Sequence, residues 1–570
     1  MNNIKRKIEV GSKRIKAELV LKDANIVNVF TNEIIRGNLA IDNGYIIGIG
    51  DYTGELEIDL EGKYIAPSFI DGHVHIESSM VSPSEFSKHI LRYGTTTIIA
   101  DPHEIANVCG LDGIEYILNA TENLPVDVFV MLPSCVPATE FETSGAILNA
   151  DSLKKLINNE RVLGLGELMD FPGVIAGNDK IIDKLDLVKN KIIDGHGPLI
   201  EGEELNTYVL AGVKTEHECS TKDEMIERLR RGMYVQVREG TAARNLLELV
   251  PHITKDNLRR CIFCTDDKHP EDILSRGHID NNIRMAIKEG MDPIDALKMA
   301  SLNTAECYGL KDVGAIAPGY IADMVVFDNL LDIEIEMVFK KGKLVVKDKK
   351  TLVEVCDTQD NRVLSKVNIK TFHENDIKLN LKGKRARIIE LVDYSLVTKL
   401  IEETVDTKDG EFKFTKGSNV SKLVLVERHT GKSTTSVVLV KGFGIENGAI
   451  GVTVAHDSHN IIVIGDNNRD IVNCINKIKD IGGGIVISSC GEVIEYLPLE
   501  IGGLMSNRSL YEVDAKLQVM MKIARDINVS PTVDPFMTLA FLALPVIPEV
   551  KITDKGLFDV INFKFIDINP

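Results

Sequence analysis

The sequence predicts an α/β protein: a (β/α)8 TIM-like barrel inserted in a small β-sandwich, plus a C-terminal α/β domain. Three observations predict it. Short apolar runs alternate with helical patterns between residues 65 and 313, which is the size and rhythm of about eight βα units. β-rich stretches lie on both sides of that region. Strand patterns resume beyond residue 386 and run to the end of the chain. The expected division is a first sandwich half at 1–64, the barrel at 65–313, a second sandwich half at 314–356, a linker at 357–385 and the last domain at 386–570.

The first half alternates apolar and polar residues, as in Leu39-Ala40-Ile41-Asp42 and Tyr45-Ile46-Ile47-Gly48-Ile49. Asn43-Gly44 between them is a strong hairpin signal. The barrel opens with Ile65-Ala66-Pro67-Ser68-Phe69-Ile70. Later strands are read at Thr97–Ala100, Val126–Met131, Val162–Gly166, around Leu199, at Gly212–Thr215, Tyr234–Val237 and Cys261–Cys264. The stretch Gly314–Val346 has turn, strand, turn character and is expected to pair with the N-terminal strands. Residues 347 to about 384 are rich in Lys, Asp and Asn and read as a linker. The last domain carries a strand, loop, strand pattern at Val452–Gly465, a helical stretch near 468–480 and another strand after Gly482-Gly483-Gly484.

Composition narrows the function classes. Hydrophobic residues at 44% and charged residues at 26% suit a soluble globular protein. A net charge of -19 argues against nucleic-acid or anionic-membrane partners, because phosphate contacts need Lys and Arg. The start lacks an apolar signal core, and no apolar run reaches the ~20 residues of a membrane helix. Nine scattered cysteines do not suggest a disulfide framework. Cys261-Ile262-Phe263-Cys264 has no second pair and reads as a buried strand. A cytoplasmic location is expected. Two phosphate patterns fail: Gly431-Lys432-Ser433-Thr434 has Val426 where a P-loop needs glycine, and Gly442-Phe443-Gly444 with Gly448 is one residue too long for the dinucleotide fingerprint.

The chemistry begins at Asp71-Gly72-His73-Val74-His75. Side chains two apart on a strand point the same way, so His73 and His75 can reach one point at the strand's end. Alone, such a pair also reads as two hydrogen-bonded core histidines. Other strand ends change that reading, because the C-terminal ends of barrel strands face the active site. Glu167 follows Val162–Gly166, His196 precedes the strand expected near Leu199, His217 follows Val213–Glu216, and Asp266 follows Cys261–Thr265. Four imidazoles and two carboxylates suit two divalent ions better than one, since a single catalytic ion needs about three protein ligands. His and carboxylate donors without thiolate fit manganese, iron(II) or zinc.

The pattern resembles the amidohydrolase superfamily and, within it, the bacterial adenine deaminases. The narrower likeness rests on Ile76-Glu77-Ser78-Ser79-Met80, Ala100–Val108, Leu132–Thr139, Gly166–Val174, Thr215-Glu216-His217-Glu218, Thr265–Pro270 and Ala455-His456-Asp457-Ser458-His459-Asn460. It spans nearly the whole chain. The resemblance implies hydrolytic deamination of adenine to hypoxanthine and ammonia by a metal-activated hydroxide at a binuclear site. It places Glu167 where many relatives use a carboxylated lysine. His73, His75 and Asp266 are expected on one ion and His196 and His217 on the other, with Mn2+ the expected metal and Fe2+ or Zn2+ the alternatives. Asp266 is the expected proton shuttle, Glu167 the bridge and Glu218 a candidate proton donor to a ring nitrogen.

Asp101, His103, Glu104, Ser134, His456 and His459 are candidate substrate contacts, although Asp101, His103 and Glu104 also read as support for the metal histidines. The His456–His459 loop also reads as a lid, a separate metal site or a plain polar turn. The partner is small-molecule adenine, and a homo-oligomer, in the first instance a dimer, is expected. The alternatives are another binuclear amidohydrolase, such as an N-acetyl amino sugar deacetylase, and a non-catalytic scaffold on the same fold.

Overall fold

The structure is a computed structural model and describes residues 3–570; Met1 and Asn2 of the expected first sandwich half lie outside the described residues. Eight parallel strands form the barrel. They are Phe69–Val74, Thr95–Ala100, Asp127–Leu132, Val162–Leu168, Ile192–Gly195, Thr215–Glu216, Tyr234–Arg238 and Cys261–Cys264. The first five pair in sequence as one sheet and the last three as another. Lys214 N–H donates to Ile193 O (2.9 Å) across one seam. A parallel bridge between Val74 and Asp266 closes the other. Ile99, Met131 and Ile262 pack inside with Cys307 and Tyr308 of the helix Leu302–Tyr308. The interior is therefore a packed core.

Two strand expectations are corrected. The fifth strand is Ile192–Gly195; Leu199 sits in a loop, 78% exposed, with a positive φ of 63°. The strand carries only Ile192-Ile193 as an apolar signal, so the run Pro198-Leu199-Ile200 outweighed it. His196 consequently follows its strand instead of preceding one. The sixth strand is Thr215–Glu216, shorter and later than Gly212–Thr215. Cys261 and Cys264 are buried in the eighth strand, as their apolar neighbours suggest.

The β-rich flanks join in one nine-stranded sheet. Tyr64–Pro67 pairs antiparallel with Met324–Phe327, which ties the chain before the barrel to the chain after it. Leu21, Ile26, Leu39, Ile41 and Ile65 share a core with Met324, Val326 and Phe339, so the sheet folds over itself. Asn43 and Gly44 both have positive φ (49° and 78°), the backbone a two-residue hairpin turn requires. This sheet is fixed to the barrel by the buried Lys340, whose ammonium donates to Asp323 (2.6 Å), Asp127 (2.6 Å) and Thr96 O (3.1 Å).

The C-terminal region is an eight-stranded sheet in which Val420–Val426, Gly448–Val452, Ile461–Gly465 and Gly484–Ser489 are central. The amphipathic helix Asn468–Ile481 covers one face. Asn467 caps it by accepting from Asp470 N–H (2.9 Å), and Gly482 (φ 75°) ends it. Between 357 and 385, Ile369, Phe372 and Ile377 are buried against this sheet and helix. The domain docks on the barrel: Ser506 N–H donates to Met80 O (2.8 Å) and Ser82 N–H to Ser506 O (3.1 Å). Met80 and Ser82 belong to the segment just after His75, so docking bears directly on the barrel mouth. Among the described residues no helix is long and apolar enough to cross a membrane.

Removing one partner of a buried ion pair costs about 3–5 kcal/mol. Lys340→Met should therefore lower unfolding stability by about 3 kcal/mol, measured by denaturant titration. Loss below about 1 kcal/mol would show that the sheet is held to the barrel by apolar contact alone.

Candidate metal centre

The chain turns its polar side chains inward at the strands' C-terminal ends, and they meet around one carboxylate. Glu167, near the end of the fourth strand, is 4% exposed. Its Oε1 lies 3.4 Å from His75 Nε2 and 3.2 Å from His103 Nδ1. Its Oε2 lies 2.9 Å from His196 Nδ1 and 3.2 Å from His217 Nε2. Asp266 sits at the seam that closes the barrel. Its Oδ1 lies 3.1 Å from His75 Nε2 and 3.6 Å from His73 Nε2. The His73 and His217 rings stack at 4.5 Å. The structure thus brings together all six residues expected as ligands.

The backbone explains the convergence. Asp71 Oδ1 accepts from the N–H groups of His73 (3.2 Å) and Thr265 (3.1 Å), which ties the first and eighth strand ends together. Asp266 N–H donates to His73 O (2.9 Å). His278, also buried, faces Asp71 Oδ2 at 3.3 Å. Asn245 donates to His217 O (3.0 Å) and so fixes the sixth strand's end. Tyr208 OH accepts from His196 N–H (3.0 Å) and donates to Leu168 O (2.7 Å), which joins the fifth strand's end to the fourth's.

Electrostatics follow from burial and proximity. Burial alone would push the Glu167 carboxyl up, but His196 and His217 beside it hold it well below the usual range. Burial would likewise raise Asp266; Arg238, His73 and His75 hold it well below. Burial pushes the His75 imidazole down, and Asp266 and Glu167 raise it well above its ordinary value. His217 is raised in the same way by Glu167 and Glu218 against burial. Only His73 is lowered, by burial and by His217.

These are the features of a cation site. Carboxylates that hold protons on neighbouring imidazoles attract a divalent ion by the same field, and metal binding displaces those protons. Neither ring nitrogen of His73 has a hydrogen-bond partner, although the residue is fully buried, and His217 Nδ1 is likewise unpaired. A buried polar atom without a partner is costly, and a cation would satisfy one of the two His73 nitrogens. Ligand atoms lie within 4.8 Å of one another in the groups His73–His75–Asp266, His73–Glu167–His217, His75–His103–Glu167 and His196–His217–Glu218. None of these groups contains a cysteine.

The remaining candidates sort by what they touch. His103 reaches Glu167 and stands 4.6 Å from the His75 ring, edge to face. Asp101 supports the cluster from behind: its Oδ2 accepts from Glu167 N–H (3.0 Å) and its carbonyl faces His75 Nδ1 (2.9 Å). Ser134 donates to Glu167 O, so it steadies the fourth strand's end. Glu218 faces His217 (3.4 Å) and His196 (3.7 Å). Glu104 turns away from the cluster to His456 Nδ1 (3.2 Å). His459 is buried beside that pair, and its Nδ1 accepts from Ala455 N–H (3.2 Å).

Arg238 escaped the sequence reading. It ends the seventh strand, and its guanidinium holds Asp266 Oδ2 and both oxygens of Glu218. The strand-end rule that selected Glu167 would have flagged it. Outer groups that orient ligands typically change metal affinity 10–100-fold when removed. Arg238→Met should therefore lose divalent metal on dialysis at least about tenfold more readily than the unaltered protein, measured by elemental analysis. Equal retention would make Arg238 irrelevant to the ligand set.

Residues 64–345 match the Amidohydrolase family. Residues 395–564 match the Adenine deaminase C-terminal domain. The chain is similar along its length to proteins named adenine deaminase. It is 53% identical to one from Clostridium acetobutylicum, over 99% of this chain and 100% of that one. It is 47% identical to one from Nitratidesulfovibrio vulgaris, covering 98% and 97%. A third, from Geobacillus kaustophilus, is 46% identical and covers 100% and 99%.

Proposed function

The chain belongs to the adenine deaminases of the amidohydrolase family, and we propose that the Glu167 cluster is where it hydrolyses adenine to hypoxanthine and ammonia. The observation that carries this reading is the division of one buried carboxylate between two imidazole sets, Oε1 toward His75 and Oε2 toward His196 and His217. That arrangement supports two divalent ions. His73, His75 and Asp266 would hold one, His196 and His217 the other, with Glu167 between them. Such ions lower the pKa of water and stabilise developing negative charge on oxygen. The all-nitrogen-and-oxygen donor set supports Mn2+, with Fe2+ or Zn2+ as substitutes. Nine free cysteines among the described residues support a reducing compartment such as the cytoplasm.

Within that frame Asp266 has two separate tasks. Oδ2 is anchored by Arg238, while Oδ1 faces His73 and His75. Oδ1 is therefore the oxygen that takes a proton from the attacking water as it adds to C6 of the purine. Asp266 then returns that proton toward the ring or the leaving amine. That proton and the one left on the C6 hydroxyl end on ring N1 and on the amine: as the C6–N bond breaks the amine departs as ammonia, and the C6 oxygen, having given up its proton, becomes the carbonyl of hypoxanthine. Glu218 shares the Arg238 guanidinium with Asp266 and lies beside His196, in a place to serve a ring nitrogen. Burial would raise its carboxyl, but Arg238 and His196 hold it well down, so it acts as an acceptor until a proton is delivered to it.

Two outcomes test this. Metal-depleted protein should release no ammonia from adenine and should regain activity with Mn2+. Adenosine, cytosine and N-acetylglucosamine 6-phosphate should give no comparable turnover. A deacetylase would answer to the sugar and a scaffold to none of the four. Separately, Asp266→Asn should remain folded and lose about 10²–10⁴-fold or more in kcat. If Asp267→Asn lost as much through kcat alone, the assignment of the proton role to Asp266 would fall.

A further inference from the structure

A cleft of about 270 Å³ opens between the barrel and the C-terminal domain. Barrel loops contribute Met80, Thr241 and Asp267, the last next in sequence to Asp266. The C-terminal domain contributes Val454, Met521 and Phe541 among other apolar side chains, and one ionisable ring, His456. The volume is at the small end for ligand sites and suits one flat base. Two polar side chains at its wall each have one end committed and one free. His456 Nδ1 faces the buried Glu104 carboxylate (3.2 Å), and the ring stacks on Phe541 at 4.5 Å. Its remaining nitrogen, Nε2, has no hydrogen-bond partner among the described residues, and the residue lines the cleft. Asp267 Oδ1 accepts from Ser78 Oγ, which leaves Oδ2.

The chemistry of adenine supplies the match. N3 lies across the six-membered ring from C6, and N9–H lies beside N3. A base with C6 at the metal cluster therefore presents an acceptor and a donor, side by side, to whatever lies beyond. Resting on the functional reading above, we propose that His456 Nε2–H donates to N3 and Asp267 accepts N9–H, so that the C-terminal domain and the eighth barrel loop together select the free base. A substituent on N9 would remove the donor and leave the Asp267 carboxylate unpaired in a confined site. Sites built around such a hydrogen bond reject analogues that lack it far more strongly than apolar pockets reject an extra methyl group. Glu104 is then a positioning residue: it fixes the ring orientation of His456 from the Nδ1 side and touches no substrate.

The test uses the full-length, Mn2+-loaded protein with adenine, 3-deazaadenine and 9-methyladenine. The unaltered protein should show kcat/KM for each analogue at least about tenfold below that for adenine, since each analogue lacks one hydrogen bond to an ionised group. His456→Ala should lower the value for adenine but leave that for 3-deazaadenine nearly unchanged. Asp267→Ala should do the same for the pair adenine and 9-methyladenine. Both variants should keep the metal content of the unaltered protein. Additive losses, in which the variants discriminate the analogues as strongly as the parent, would overturn the proposal. So would a parent enzyme indifferent to both changes in the base, a result that needs no variant to fold. A parent that releases no ammonia from adenine would instead overturn the functional reading, and this proposal with it.

Discussion

One buried carboxylate sets the terms for the barrel mouth. Glu167 is removed from water and faces four imidazoles, two at each oxygen. A carboxylate in that position is expensive unless charge and hydrogen bonds compensate it. The chain supplies the compensation from four strand ends: His75 from the first, His103 after the second, His196 after the fifth and His217 after the sixth. Asp101 and Ser134 hold the Glu167 backbone on both sides, through its N–H and its carbonyl. The geometry of the remaining site follows from keeping this group satisfied. The same field that protonates the histidines makes the cluster a receptor for cations.

The second constraint is that the mouth is shared. Met80 and Ser82, just beyond His75, are paired by their backbones to Ser506 of the C-terminal domain. Glu104, one residue from His103, faces His456. The buried Arg428 donates to the carbonyls of His459, Lys366 and Gly502, and so ties the His456–His459 loop to two neighbouring segments. A domain attached through such contacts shapes the cleft between itself and the barrel. The nine-stranded sheet acts at the other side, where Lys340 anchors it to the start of the second and third barrel strands.

Much of this was legible in the chain. Fully buried strands such as Thr95–Ala100 and Cys261–Cys264 announce themselves as apolar runs, and Asn43-Gly44 marks its hairpin through backbone sterics. Histidines and acids placed at strand ends point to the mouth because barrel geometry gathers those ends. What was not legible depends on contacts between distant segments. Two apolar residues could not mark the strand Ile192–Gly195 against the more apolar Pro198-Leu199-Ile200. The contact of the Ser134 hydroxyl with Glu167 O joins residues 33 apart and is revealed only by the folded geometry. Arg238 ends an apolar strand, but a lone arginine carries no metal-ligand signature. The partnership of Glu104 with His456 joins residues 352 positions apart and has no local signal.

The central claim is that one carboxylate, Glu167, joins two cation sites that act as a unit on adenine. Titrating metal-free, full-length protein with Mn2+ while following ammonia release from adenine tests it most directly. The account predicts activity that rises until two equivalents per chain are bound and then stays level. A plateau at one equivalent, or full activity without added metal in protein shown to contain none, would contradict it.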